Sequence, residues 1–196
     1  MTDIKGTVAG TRVRVSVPFF IAAALWAALD ADGTALLCLF ASFLHEGGHS
    51  LALCLCGRRP RDLALGVGGI RLVPDPRPVS YRRQIAVLLS GPAVNLLSAA
   101  VLALFRCPPL PVAVHLLLGG FNLLPVEALD GGQALRCLLA ARGEERRAQR
   151  MVRALSATVL LPLAAGGFFL LIREGNFTLF TVALYLLIRL FGQDRM

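Results

Sequence analysis

The chain has 196 residues, 56% of them hydrophobic and 16% charged, with a net charge of +8 and a mean hydropathy of +0.69. A soluble domain carries about 45–50% apolar and about 25% charged residues, so an ordinary soluble globule is excluded. The basic balance does not mark a nucleic-acid binder, because the arginines fall between apolar blocks rather than along one face, and no nucleic-acid partner is expected.

In chain order the apolar blocks cover approximately 15–29, 34–56, 85–105, 112–141, 155–172 and 177–191. A bilayer crossing takes roughly 20 residues. The pattern predicts an all-α polytopic membrane protein of six transmembrane helices, one domain over 1–196, with the lipid bilayer as its surroundings. The first block follows Lys5, Arg12 and Arg14 as the core of a signal peptide would, but the next residues, "DADG", offer no small-x-small cleavage site. An anchored helix is expected. With the N-terminus in the cytoplasm, six crossings place all of the 20 Lys and Arg except Arg106 and Arg173 on the cytoplasmic side. That bias predicts a multi-pass cell-membrane protein with both termini cytoplasmic.

The one sizeable loop, 57–84, contains "DLALGVGGIRLV". Two short β-prone runs separated by glycines predict a hairpin, and its apolar character predicts that it lies against the membrane. Residues 142–153 read as a solvated, charged helix. The five cysteines form no CxxC pair, so neither a disulfide framework nor a zinc knuckle is implied.

The second block carries the chemistry. In "FASFLHEGGHSLALCLC" (40–56), His45 and His49 stand four apart, on one face of a helix, where two imidazoles can bind one metal ion. Glu46 lies beside them, placed as a general base toward water at that metal. His45 is eleven residues from each end of the 34–56 block, about 16 Å along a helix axis, and so near the bilayer midplane. Ionisable side chains there cost at least about 2.5–3.5 kcal/mol and normally mark a functional site; the bland alternative is interhelical hydrogen bonding.

Two histidines leave a catalytic zinc one protein ligand short. "FNLLPVEALDGGQALR" (121–136) offers Glu127 and Asp130, and His115 precedes it. The 112–141 block is too long for one straight span and is interrupted by Asn122, Pro125 and Gly131-Gly132; broken helices at membrane depth are tolerated where they line a site. A straight helix from Val112 would carry Asp130 about 11 Å past the level of His45, so the Asn122–Pro125 break must turn the chain for the two to meet. His115, about 5 Å inside the opposite edge, is too shallow to be a natural ligand and reads as a packing or hydrogen-bonding histidine.

The pairing of "HEGGH" in an early span with "NLLPVEALDGG" in a later one resembles the site-2 protease family of intramembrane zinc metalloproteases. "LSGPAVNLL" (89–97), through Gly91 and Asn95, is similar to that family's Gly-x-x-x-Asn helix, and "GVGGIRL" to its membrane-associated hairpin. "RVSVPFF" before the first span looks like the opening of the sporulation-type members, which process a sigma-factor precursor. The resemblance covers about residues 12–141. It implies a zinc metalloendopeptidase acting on membrane-embedded or membrane-associated proteins, with His45, His49 and Asp130 as Zn2+ ligands and Glu46 as general base. Asn122 is implied to hold the substrate backbone or the developing oxyanion. Regulated intramembrane proteolysis, of a sigma-factor precursor or anti-sigma factor, and a regulatory or inhibitory membrane partner follow from the same resemblance. Glu127-Ala128 departs from the apolar or proline residues usual in the family, and nothing resembles a PDZ or nucleotide-sensing domain. The rival readings are a non-catalytic metal-binding membrane protein and a metal or proton transporter. A structural site needs no carboxylate beside its ligands, and one isolated cluster makes a poor transmembrane relay.

Overall fold

A computed structural model of the chain describes residues 3–8, 11–16, 21, 24, 25, 28, 30, 32–58, 62–66, 69–73 and 79–192. The elements are β1 (Asp3–Val8), β2 (Thr11–Ser16), α1 (Thr34–Leu55), β3 (Asp62–Gly66), β4 (Gly69–Val73), α2 (Tyr81–Leu104), α3 (Pro109–Asn122), α4 (Asp130–Ala140), α5 (Glu145–Glu174) and α6 (Thr178–Gly192). They fall into two compact units, Met1–Phe121 and Asn122–Met196.

The first unit contains a four-stranded sheet of order β1-β2-β3-β4. β3 and β4, in the loop where a hairpin is expected, pair antiparallel from Asp62 with Val73 to Gly66 with Gly69. β1 and β2 pair antiparallel, and β2 runs parallel to β3 from Arg12 with Asp62 to Val15 with Leu65. The fold is therefore helical with a sheet, and the expected all-α description with a lone hairpin is corrected by β1 and β2. Alternating Arg and Val in "TRVRVS" is the period-2 pattern of a strand; the basic residues that look like the flank of a membrane anchor are part of it. The first expected span, 15–29, lies mostly outside the described residues, with Ile21, Ala24, Leu25 and Ala28 helical.

α1 begins where Asp30 Oδ2 accepts the backbone N–H of Ala35 at 2.6 Å, satisfying one of the orphan donors of a helix start. Its core face is made of Ala35, Ala41, His45, Gly48 and Leu53. Leu36, Phe40, Phe43, Leu51 and Leu55 point outward and are more than half exposed, an apolar surface that lipid rather than water would cover. Small residues on the inner face permit close approach: a Cβ on Gly48 would lie 2.8 Å from the Ser90 carbonyl oxygen of α2.

In the second unit, the long α5 joins most of the charged 142–153 stretch, from Glu145 onward, to the following apolar block, so its first turns are a polar extension of a membrane-length helix rather than a separate one. α6 packs on it through Ala183, Leu186 and Leu190. A Cβ on Gly167 would lie 2.6 Å from the Phe180 backbone nitrogen, so the two backbones touch there. Arg153 of α5 donates to the carbonyl of Leu190, one of the last carbonyls of α6 that its own helix cannot satisfy.

Among the described residues, three helices, α1, α2 and α5, are long and apolar enough to cross a membrane, and α3 and α6 are shorter apolar helices. α6, with 15 residues, spans about 23 Å against about 30 Å of hydrocarbon. The apolar helices are those of a membrane protein.

The 112–141 block is divided between α3 and α4, with 123–129 non-helical. The connecting stretch is pinned within the second unit. The Glu127 N–H donates to Ser156 Oγ at 2.8 Å, and Ser156 Oγ lies 2.8 Å from the Val152 carbonyl and 3.4 Å from that of Pro125. One hydroxyl thus accepts from the loop and donates back to its own helix. Ser156→Ala leaves the part-buried Glu127 N–H without its partner and lowers stability by about 1 kcal/mol. The fall appears as an earlier midpoint on denaturant titration of the detergent-solubilised protein; an unchanged midpoint would show that the loop is not held by this bond.

Candidate metal centre

The i, i+4 spacing on α1 brings His45 and His49 face to edge, with ring centroids 4.8 Å apart and planes at 85°. Their Nε2 atoms lie 3.2 Å from each other. Two nitrogens on one tetrahedral zinc, each at about 2.0–2.1 Å, stand about 3.3 Å apart. The pair therefore has the separation that a shared zinc requires.

Each ring is held through its other nitrogen. His49 Nδ1 lies 2.7 Å from the carbonyl oxygen of Val87 on α2; facing an acceptor, it carries the proton and donates. The neutral ring then keeps a lone pair at Nε2, the form in which histidine binds metals. His45 Nδ1 lies 3.1 Å from Nδ2 of Asn95, also on α2. His45 is 5% exposed and Asn95 is fully buried, so both must find partners inside the protein.

Gly91 makes room for the pair. A Cβ there would lie 2.8 Å from His45 Nε2 and closer still to the Nε2 and Cε1 atoms of His49. Pro92, in the same turn, has no N–H to contribute to the helical ladder. This part of α2 is thus a cradle with the side chain removed at the point where the two metal-competent nitrogens converge. Donor chemistry, spacing and cradle all fit a divalent metal with an affinity for imidazole.

Glu46 is half-buried on α1, next to His45 in sequence. The remaining expected site residues belong to the second unit. Asn122 is the last residue of α3, and Asp130 is the first of α4, where a carboxylate complements the positive end of the helix dipole. Leu129 before it is extended. Gly131 and Gly132 let the 123–129 stretch fold back on the start of α4: a Cβ on Gly132 would lie 2.8 Å from the Glu127 backbone nitrogen. Glu127 sits in that stretch with its Oε2 buried and without a hydrogen-bond partner among the described residues. His115 lies on α3 in the first unit, buried, its Nδ1 3.2 Å from Asn95 Oδ1. The sequence marked Gly91 and Asn95 through a motif but gave them no task; their work is visible only once α1 and α2 are packed.

No family model matches the chain. A zinc metalloprotease of Methanocaldococcus jannaschii is 30% identical over 111 residues, which cover 50% of this chain and 32% of that protein. The chain therefore spans about a third of the curated relative it matches. A solved structure, the site-2 protease from Methanocaldococcus jannaschii, superposes with a TM-score of 0.69 at 20% identity, covering 100% of this chain and 96% of that one. The chain has the site-2 protease fold, and the resemblance carried by its motifs is supported by both comparisons.

Proposed function

We propose that the chain is an intramembrane zinc metalloendopeptidase that hydrolyses peptide bonds of membrane-embedded or membrane-associated proteins. The observation that carries the proposal is the convergence of His45 and His49 Nε2 at 3.2 Å in the middle of an apolar helix. The likeness to a zinc metalloprotease and to the site-2 protease fold supports the same reading.

In this reading His45 and His49 hold zinc with Asp130 as the third protein ligand. A zinc ion held there would supply Lewis acidity for lowering the pKa of water toward about 7 and for polarising a carbonyl. The Glu46 carboxylate accepts the proton of the attacking water and returns it to the departing amide nitrogen. Asn122 positions the substrate backbone with its amide. A helical substrate has its peptide bonds shielded and already hydrogen-bonded, so segments containing Gly, Pro or Asn are the favoured substrates. Six crossings, cytoplasmic termini and a hairpin against the bilayer complete the proposed arrangement. The proposed context is regulated proteolysis of a sigma-factor precursor, as in the sporulation-type members that "RVSVPFF" resembles, or of an anti-sigma factor.

The test is cleavage of a single-span reporter by detergent-purified protein: it stops on chelation and resumes with added zinc. Reporter cleavage that persists in chelator contradicts the proposal. Asp130→Ala weakens zinc binding by at least about 100-fold, at or beyond the upper end of the range for outer-shell losses, as read by competition with a chromophoric chelator. Wild-type affinity in that variant removes Asp130 from the ligand set.

A further inference from the structure

The third histidine of the chain does not face His45 directly but reaches it through one amide. Asn95 stands between them, with Nδ2 3.1 Å from His45 Nδ1 and Oδ1 3.2 Å from His115 Nδ1. The three side chains come from α1, α2 and α3, and all are buried. Gly119, one turn beyond His115, lets α3 close on α2 at this level: a Cβ there would lie 3.2 Å from the Asn95 Cβ.

A histidine that binds a metal through Nε2 carries its proton on Nδ1, and that N–H needs an acceptor. The Asn95 amide lies within hydrogen-bond reach of His45 Nδ1, and because the oxygen and nitrogen of an amide are nearly isosteric, the same heavy-atom position can offer His45 an acceptor oxygen. The amide nitrogen then faces His115 Nδ1, where a neutral imidazole can accept from it.

We propose that Asn95 and His115 are positioning residues that hold the metal-binding tautomer of His45: the Asn95 amide oxygen accepts from His45 Nδ1–H, and His115 Nδ1 accepts from the amide nitrogen. The inference rests on the reading that His45 is a metal ligand. It explains why a buried histidine is placed one amide away from the pair, where an apolar residue would pack without needing partners.

The test is zinc affinity, measured by chelator competition on the full chain in detergent. Asn95→Leu, close to isosteric but unable to accept, weakens binding by about 10–100-fold, the range for loss of an outer-shell partner. Asn95→Asp, whose carboxylate can likewise accept from His45 Nδ1–H, stays near wild type. His115→Phe weakens binding in the wild-type background and has no further effect on Asn95→Leu. Equal affinity in wild type and Asn95→Leu overturns the proposal, as does an equal cost of His115→Phe in both backgrounds. If Asn95→Leu fails to fold, Asn95→Asp and His115→Phe decide: a weakened Asp variant or an unaffected Phe variant overturns it. His45→Ala separates the two levels of inference. Loss of zinc there with no loss in the Asn95 and His115 variants removes only the positioning role, whereas retained zinc in His45→Ala removes the metal assignment itself.

Discussion

Glu46→Gln lowers peptide-bond cleavage by about 10²–10⁴-fold, the usual contribution of a general base, while zinc stays bound at full stoichiometry. The separation of the two effects follows from chemistry. The metal-competent nitrogens belong to His45 and His49, whose rings are oriented by the Val87 carbonyl and the Asn95 amide. Glutamine preserves the shape of the side chain at position 46 but cannot take a proton from water. Cleavage of a reporter and zinc content, measured on the same preparation, check both halves. Unchanged cleavage in Glu46→Gln would end the proposed chemistry, and loss of zinc would make Glu46 part of the metal site instead.

Gly91→Ala destroys the metal site, with zinc affinity reduced by more than about 100-fold, beyond the cost of an outer-shell substitution. The added methyl would sit 2.8 Å from His45 Nε2 and nearer to His49, in the space between the ligand atoms and α2. The rings have little freedom to withdraw, since each is tied at its Nδ1. The variant is informative because Gly47→Ala is its control: a Cβ at Gly47 meets nothing within 4 Å, and the helix gains by roughly 0.5–1 kcal/mol from the loss of glycine flexibility. Equal zinc affinity in both alanine variants would show that the close approach of α2 is not what shapes the site.

How far the sequence carried can be read from these same residues. The helix bearing His45, Glu46 and His49 was expected over 34–56 and spans Thr34–Leu55, because a periodic apolar run with a local motif contains its own information. Asn95 and His115 behave differently. Depth counted along a straight helix placed His115 far from the midplane site, and it is indeed not beside His45; a single amide closes the gap. Such bridges depend on how α1, α2 and α3 cross, which no spacing along one helix encodes. The N-terminal strands were hidden by a competing signal. Lys5, Arg12 and Arg14 read as the basic flank of an anchor, while the partner that makes 11–16 a strand is β3, distant in sequence. Non-local pairing of this kind is the least visible feature of a single chain.

The most direct test of the central claim is the zinc content of the detergent-purified protein, set beside His45→Ala and His49→Ala. The account predicts one zinc per chain in the wild type and none in either variant. Zinc absent from the wild type, or retained by both variants, would contradict it.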